Sequence, residues 1–503
     1  MRIPTNRAGA LILAGALMLL NFAPPSKAAD HFLTIGGGDS PTYNQVSLEK
    51  NVLFFQHLLE DVEAPDVAHE IFFSDGEAGS RDVQYVAADK LPQVNLVLSR
   101  LFNQEEGVNL QYRPHKIPNL SGASSREELR KWFDRIGARL GESDRLFIYF
   151  TGHGGPGGPN NGRNTNFSLW NDRPMSVVEF TGLLDKLSPK LSVVLIMVQC
   201  HAGGFADVMF NNGRAGPIMS AGRRCGFFAT TPDRNAAGCT ADISEEDYRD
   251  YSTYFFAALD GKTRTGKPVT PPDYDHDGKV SFAEAHAYTV LNSDTIDIPI
   301  TSSDVFLRQF SKARGDGLLS SDSPFDSLLE HASPAQRVVL EGLAKELKLK
   351  AGAEVASAKQ LADKIDADRK NSEKQRTARW NDADRAAKGI TQRLTRRWPE
   401  LSSPWNPRVP ELLRDEGPRI LNWIEGDRQY ARFRTAYDQF QAATDRDLAL
   451  DHQWSKCQRF LYTVDSIALG ANLEQIATPS LIARYRQIIA DEAGTFPILP
   501  GKQ

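Results

Sequence analysis

The sequence predicts an α/β protein in which helices cover both faces of a mostly parallel sheet, followed by an all-α C-terminal region. From Asp30 to about residue 310, short apolar runs alternate with amphipathic helical patterns, which is typical of parallel strands buried on both faces. Residues 335–398 are mostly strong helix formers with apolar positions at helical spacing. We therefore expect a three-layer α/β/α domain over residues 29–312 and a helical domain over residues 313–503.

Composition restricts the class of protein. The 503 residues are 41% hydrophobic and 24% charged, which is ordinary for a soluble globular chain. The formal net charge of -5 argues against a general nucleic-acid binder, for which a basic surplus is expected. Four cysteines are too few for a disulfide scaffold. We expect no nucleic-acid partner.

The N-terminus has the layout of a secretory signal peptide. Arg2 and Arg7 precede an apolar stretch, Ala8 to Leu20, and small residues end the segment at Ala28. The apolar stretch is shorter than the roughly 20 residues that cross a bilayer. The sequence thus predicts a signal peptide over residues 1–28 and export to a periplasm or the outside, with no integral membrane segment once it is removed.

Individual elements follow from the same patterns. Five apolar runs are predicted to be strands: His31–Ile35, His69–Phe73, Arg145–Phe150, Ser192–Val198 and Phe227–Thr230. Amphipathic helices are predicted at about 46–62, 124–140, 176–187 and 244–259. In such sheets, functional groups gather beyond the carboxyl ends of the strands.

The C-terminal region is predicted to contain two helical runs. Pro399 to Pro410, with four prolines, separates them. The charge-rich stretch 362–397 is typical of a solvated helix face. In the second run, four aromatic residues lie on one predicted helix face, which indicates core packing: Tyr430, Phe433, Tyr437 and Phe440.

Two reactive side chains stand just past the ends of predicted strands. His153 follows the third strand and Cys200 the fourth, and both are followed by glycines that would let a substrate approach the backbone. The 47 positions between them suffice for one strand–helix–strand crossover. If the two strands are neighbours, a thiol and an imidazole share one cleft, which is the minimum for covalent acyl transfer.

Two other interpretations of this pair exist. Cys200 and His153 could be a buried apolar residue and an ordinary loop histidine. Cys200, His201 and His153 could instead bind a metal ion, although adjacent residues point in different directions and no C-x-x-C spacing is present. Because both residues are flanked by glycine at strand ends, we favour the catalytic interpretation.

At this point the sequence resembles a known group. Tyr149–Gly154 and Gln199–Gly203 resemble the histidine and cysteine motifs of caspase-fold cysteine peptidases, most closely those of the legumain family. Tyr43-Asn44 resembles that family's Tyr-Asn, and Ala229–Arg234 resembles its Ala-Ala-Asn-Pro-Arg segment. The resemblance covers about residues 30–310.

The resemblance implies roles for particular residues. Cys200 would be the nucleophile, and His153 the general base and then the acid that protonates the leaving amine. The backbone N–H groups of Gly154 and Cys200 would form the oxyanion hole. Asn44 would orient His153, Asp242 would line the substrate pocket, and the substrate would be a polypeptide.

The chain departs from the family where specificity is set. The family has a basic pair just after Tyr-Asn, but Gln45, Val46 and Ser47 stand here. An acidic residue is expected two positions before the nucleophile, where this chain has Val198. Asp242 is left as the polar pocket candidate, so the preferred residue on the acyl side of the scissile bond is not assigned.

A calcium loop is predicted within the same domain. Asp273–Glu284 fits the EF-hand pattern, with Gly278 at the sharp turn, and three prolines just before it preclude a regular entering helix. The alternative is an Asp-rich turn that caps the helix at 281–293 without metal. We expect structural Ca²⁺ and no organic cofactor. The predicted ligands are Asp273, Asp275, Asp277, the Lys279 carbonyl, Ser281 and Glu284.

The remaining cysteines carry weaker predictions. Cys225 and Cys239 flank the fifth strand and could form a disulfide, which the sequence leaves open. Cys457, in the helical region, is expected to be a buried thiol that packs as a small apolar group.

The leading hypothesis is an exported cysteine endopeptidase that acts through a Cys200 thioester. Transamidation is an alternative because it uses the same thioester. A further alternative is a non-enzymatic binding protein of the same fold. Loss of Cys200 or His153 would favour that alternative, but both residues are present. For the helical region the sequence leaves open an autoinhibitory cover, a docking module for a protein partner, and a spacer.

Overall fold

The structure is a computed structural model that describes residues 29–60, 68–104, 108–137, 139–312, 315 and 317–496. The predicted signal peptide lies outside these residues. The strands are β1 Asp30–Gly37, β2 Ala68–Phe73, β3 Val83–Tyr85, β4 Gln111–Arg113, β5 Arg145–Gly152, β6 Gly154–Gly155, β7 Asn166–Leu169, β8 Asp172–Ser176, β9 Ser192–Met197, β10 Arg223–Phe228 and β11 Ile300–Thr301. The helices are α1 Val46–Glu60, α2 Gln93–Phe102, α3 Arg126–Ile136, α4 Val177–Leu184, α5 Tyr251–Asp260, α6 Phe282–Asn292, α7 Ser302–Phe310, α8 Phe325–His331, α9 Pro334–Glu346, α10 Glu354–Arg397, α11 Val409–Glu425, α12 Tyr430–Ile476 and α13 Pro479–Glu492.

A six-stranded, mostly parallel sheet organises the first part of the chain. Its strand order is β11-β10-β9-β5-β1-β2, and only the edge pair β10–β11 is antiparallel. The five strands predicted from apolar runs are β1, β2, β5, β9 and β10, so the prediction of a mostly parallel sheet is confirmed. β9 is buried along its whole length, which explains why its sequence is continuously apolar.

Helices cover both faces of the sheet, as the alternating side chains of β5 illustrate. On one face, the Tyr149 ring packs against Phe55 of α1 and Phe256 of α5, with centroid distances of 5.2 and 4.9 Å. On the other face, Phe150 packs on Phe167, which in turn contacts Phe180 of α4. The core is therefore continuous through the sheet.

Several elements differ from the prediction. β10 begins at Arg223 rather than Phe227, because its two arginines are neutralised by Asp491 and Asp185 and so can enter a buried strand. The predicted helix at 244–259 begins only at Tyr251, where Asp250 caps it. The antiparallel pair β3–β4, the small sheet β6–β8 and the edge strand β11 were not predicted, because they are short and lack a long apolar run.

The C-terminal region is helical, as predicted. Its main feature is a long antiparallel pair, α10 and α12, of 44 and 47 residues. Phe433 is buried, and Phe440 packs on Trp380 across the pair at 5.1 Å, which confirms that the aromatic stripe is used for packing. None of the described helices is both long enough and apolar enough to cross a membrane.

The end of the chain returns to the α/β core. Phe496 is 2% exposed, and its ring lies 4.9 Å from that of Phe147 and 4.8 Å from that of Phe282. Asp491, near the end of α13, forms an ion pair with Arg223 of β10. The C-terminal segment therefore completes the packing of the first domain rather than lying apart from it.

Candidate active site

Strand register brings the two predicted catalytic residues to one edge of the sheet. β5 and β9 are parallel neighbours, and Phe150 is paired with Met197. His153 and Cys200 each lie three residues beyond this pair, so they leave the same sheet edge at the same level. Gly154 lies so close to Cys200 that an added Cβ would collide with the Cys200 carbonyl oxygen. The proximity predicted from the motif spacing is therefore present in the backbone.

The tautomer of His153 follows from its hydrogen bonds. Nε2 lies 2.8 Å from the Tyr43 carbonyl and 2.9 Å from Gln45 Oε1. Both groups accept hydrogen bonds, so Nε2 carries the hydrogen and Nδ1 carries a free lone pair. Burial lowers the pKa of His153, while the Tyr43 carbonyl and Asp39 act to raise it. The ring is therefore a neutral base at pH 7.

The Asn44 side chain forms its hydrogen bonds with groups other than the His153 imidazole, so its predicted role in orienting His153 stays a prediction. The Asn44 side chain is fully buried and accepts a hydrogen bond from the Gly38 N–H. Its amide group donates to Ser74 Oγ and to the Asp82 carbonyl. Asn44 thus fixes the turn, while the residues on either side of it, Tyr43 and Gln45, bind the imidazole.

The Cys200 thiol is half-buried beside the loop at 232–240. Its Sγ accepts a hydrogen bond from the Ala236 N–H at 3.3 Å. Burial raises the pKa of the Cys200 thiol, and the Ala236 backbone only partly offsets this. With a raised thiol pKa and a lowered imidazole pKa, both side chains are neutral at pH 7, and ionisation of the thiol would need a base.

The resemblance predicts that the backbone N–H groups of Gly154 and Cys200 form the oxyanion hole. The His153 carbonyl accepts a hydrogen bond from the Ser168 N–H beside the pairing of β6 with β7. Gly154 and Phe167 are therefore a non-hydrogen-bonded pair of this antiparallel ladder. As a result, the Gly154 N–H points away from β7. Within the described residues, the Cys200 N–H likewise donates to no other residue. An oxyanion hole formed by these two N–H groups stays a prediction.

The glycines after Cys200 serve packing rather than substrate approach, which corrects the sequence interpretation. Both are buried, and a Cβ on Gly203 would collide with the Thr230 carbonyl and one on Gly204 with Thr165. His201 has φ of 62°, a left-handed conformation that turns the chain sharply after Cys200.

The alternative of a metal bound by Cys200, His201 and His153 finds no geometric support. Nδ1 of His201 lies 2.9 Å from the Pro232 carbonyl. The two clusters of potential metal ligands in the described part of the chain do not include these three residues.

Two buried residues, Asp297 and Arg459, hold the segments next to the loop that contacts the Cys200 thiol. The carboxylate of Asp297 is buried and accepts a hydrogen bond from the Ala237 N–H at 2.7 Å. Burial raises the pKa of Asp297 to about 7. Arg459 of α12, also buried, donates to the carbonyls of Val290, Ser293, Thr295 and Asp297 and to the Thr295 hydroxyl. No sequence signal identified these residues, because each acts through contacts between distant segments.

Asp242 is the polar residue that was predicted to line the substrate pocket. Asp242 uses its carboxylate to accept from the Ser244 N–H, and its carbonyl accepts from the Tyr248 hydroxyl. Its segment runs beside the site, since Thr240 and Ser47 exchange hydrogen bonds. Val198 is buried. A pocket role for Asp242 stays a prediction.

The predicted calcium loop brings three of its acidic residues together. Carboxylate oxygens of Asp273, Asp275 and Asp277 lie within 4.8 Å of one another. Oxygen donors at this spacing suit Ca²⁺. Lys279 and Ser281 follow in the same loop, but Ca²⁺ contacts from the Lys279 carbonyl and from Ser281 stay predictions.

Glu284 does not join the three aspartates. Its carboxylate accepts hydrogen bonds from the N–H groups of Tyr274 and Ser281. Ser281 and Glu284 instead form a capping box at the start of α6. The helix cap of the metal-free alternative is therefore present beside the acidic cluster, and it is built by different residues.

All four cysteines are free. Cys225 is buried in β10, whereas Cys239 is exposed, so the disulfide that the sequence left open is absent. Cys457 is buried, as predicted, in a cluster with Ala362 and Ile365.

Comparisons with known proteins add little. No protein-family model and no curated protein matches the chain. Among solved structures, the chain is similar to protein GSU0716 from Geobacter sulfurreducens, with 12% identity over 46% of this chain and 80% of that one, and a TM-score of 0.26. Similarity at that level supports no argument about fold or function. The resemblance to legumain-like peptidases stays a prediction.

Proposed function

We propose that the protein is an exported, legumain-like cysteine endopeptidase with Cys200 as nucleophile and His153 as general base. One observation carries the proposal: the two residues leave neighbouring parallel strands at the same level, with Gly154 packed against the Cys200 carbonyl. A thiol, a neutral imidazole and two free backbone donors are the parts that acyl transfer needs.

The reaction follows from these groups. Nδ1 of His153 takes the Cys200 proton as Sγ attacks the peptide carbonyl carbon, and the Gly154 and Cys200 N–H groups stabilise the resulting oxyanion. The C–N bond breaks as His153 returns the proton to the leaving amine, which leaves a thioester. Water, deprotonated by His153, then attacks the thioester and releases the acid and the free thiol.

We also propose that the sheet and its helices form a caspase-type three-layer domain, and that the helical region supports the site. Arg459 of α12 binds the segment that carries Asp297, and Asp297 binds the loop beside the thiol. These contacts favour a supporting role over that of a spacer. Structural Ca²⁺ at Asp273, Asp275 and Asp277 belongs to the same proposal.

The test is peptide cleavage. The full mature chain, incubated with a mixed peptide library and analysed by mass spectrometry, should release fragments with a consistent residue before the cut. Cys200→Ala and His153→Ala should both abolish release, whereas Cys457→Ala, which changes a buried thiol of the helical region, should leave it intact. Equal cleavage by Cys200→Ala would refute the proposal. Adding a free amine separates transamidation, which gives an amide-linked product, from hydrolysis.

A further inference from the structure

A second polar cluster lies away from Cys200, in the loops beside the edge strand β2. Asp75 follows β2, Asp82 precedes β3, and His115 follows β4. One oxygen from each carboxylate and a ring nitrogen of His115 lie within 4.8 Å of one another. The three residues come from distant parts of the sequence, so only the fold brings them together.

One buried side-chain atom of each of the three residues has no hydrogen-bond partner. Asp75 Oδ1, Asp82 Oδ2 and His115 Nδ1 are buried and make no hydrogen bond within the described residues. Asp82 as a whole is 0% exposed. A buried carboxylate oxygen without a partner costs free energy, and native structures rarely leave one without a proton, water or ion.

The second polar side-chain atom of each of these residues forms a hydrogen bond. Nε2 of His115 lies 2.9 Å from the Gly76 carbonyl, so it carries the hydrogen and leaves the Nδ1 lone pair free. Asp82 Oδ1 accepts a hydrogen bond from the backbone N–H of His115 at 3.0 Å, and Asp75 Oδ2 accepts one from the Ser80 hydroxyl. A metal-ligating histidine usually donates its other ring N–H to a carbonyl or a carboxylate, as His115 does here. Its unprotonated nitrogen lies close to the two carboxylates.

A cation that Asp82 influences is already paired with another carboxylate. The guanidinium of Arg113 is close enough for Asp82 to influence it, but it is bidentate on Glu49, at 2.9 and 2.6 Å. Two carboxylates with a neutral imidazole offer a divalent cation one nitrogen and two oxygens. Imidazole favours first-row transition ions over Ca²⁺ and Mg²⁺.

We propose that Asp75, Asp82 and His115 bind a divalent transition-metal ion, with Zn²⁺ as the probe. The ion would join the loops around β3 and β4 directly beneath Asn44, whose amide binds Ser74 and the Asp82 carbonyl. It would thereby hold the turn whose flanking residues, Tyr43 and Gln45, bind His153. Ion binding itself does not depend on the proposed peptidase activity.

Calorimetric titration of the chelator-treated full chain tests this. To remove any contribution from the calcium loop, the reference protein is Asp275→Asn, which should bind one equivalent of Zn²⁺. Adding Asp82→Asn or His115→Gln to that background should weaken binding at least about 100-fold. Unchanged Zn²⁺ binding in both variants would overturn the site, and tighter binding of Ca²⁺ than of Zn²⁺ would overturn the assignment to a transition metal.

Cobalt substitution gives a measurement that needs no cluster variant. In the Asp275→Asn background, bound Co²⁺ should show the visible absorption of a four- or five-coordinate ion. The weak spectrum of aqueous Co²⁺ would contradict the proposal even if Asp82→Asn failed to fold.

Discussion

At the residue scale, the candidate site depends on which groups hydrogen-bond to the His153 imidazole. The motif predicted His153 and Cys200, because a reactive side chain after an apolar strand is visible in sequence. The partner of His153 was not predictable from the Tyr-Asn motif alone. Whether Tyr43, Asn44 or Gln45 points at the ring depends on the turn geometry that Ser74 and Gly38 impose from outside the motif.

Gln45 gives a test of this arrangement through pH dependence. In the wild type, burial lowers the pKa of His153, so the acid limb of kcat/KM should lie below about pH 6.5, the ordinary histidine value. Gln45→Glu places a carboxylate beside Nε2, which favours the imidazolium and raises that pKa. We expect the acid limb to move to higher pH by about one unit. Gln104→Glu, on an exposed turn, should not move it, and an unmoved limb in Gln45→Glu would contradict the hydrogen bond.

Gly154 gives a second residue-scale prediction. An alanine methyl group there would collide with the Cys200 carbonyl, which is backbone and cannot swing aside. Gly154→Ala should therefore lower kcat/KM by about 100-fold or more, the usual effect of losing an oxyanion donor. Gly158→Ala is the matched control, since a Cβ at Gly158 meets nothing within 4 Å. Similar kinetics for the two variants would argue against the proposed oxyanion hole.

At the scale of elements, long apolar runs were predictable and short polar elements were not. β1, β5 and β9 are buried along most of their length, so their sequences are mostly apolar. The strand β6 contains only two glycines, yet it positions the Gly154 N–H. Glycine carries no periodicity, and its role here depends on pairing with β7, which sequence patterns do not reveal.

The calcium loop is the element whose metal can be tested by stability. Asp273, Asp275 and Asp277 repel one another without a cation, and Ca²⁺ that binds only the folded chain stabilises it. Millimolar Ca²⁺ should raise the Tm of the wild type by several degrees, and a chelator should reverse this. Asp275→Asn should lose most of the shift, whereas Asp89→Asn, at an exposed position, should keep it. A Tm independent of Ca²⁺ would indicate that the loop acts only as a turn before α6.

At the scale of the whole molecule, the helical region and the α/β region form one packed unit. The sequence predicted a change of character near residue 312, and the helices beyond it are present. It could not predict that Phe496 enters the α/β core or that Arg459 reaches the loop near Cys200, because both contacts join segments far apart in the chain. The C-terminal helices therefore contact the segment whose Asp297 binds the loop beside the thiol.

Arg459 tests this coupling. Its guanidinium makes five hydrogen bonds to the segment 290–297, and a lysine can donate at most three. Arg459→Lys should lower the free energy of unfolding by about 3 kcal/mol, since buried carbonyls lose their donors. It should also change the alkylation rate of Cys200 in the folded protein. Arg446→Lys, on the exposed face of the same helix, should do neither, and equal behaviour of the two variants would contradict the coupling.

The central claim is that Cys200 is a nucleophile activated by His153, and active-site labelling tests it most directly. The full chain is treated with a limiting amount of a peptidyl electrophile, and the modified cysteine is identified by mass spectrometry. We predict modification at Cys200 alone, lost in His153→Ala and retained in Cys457→Ala, which changes a thiol of the helical region. Labelling of the exposed Cys239 in preference to Cys200, or labelling of Cys200 that persists at the same rate in His153→Ala, would contradict the claim.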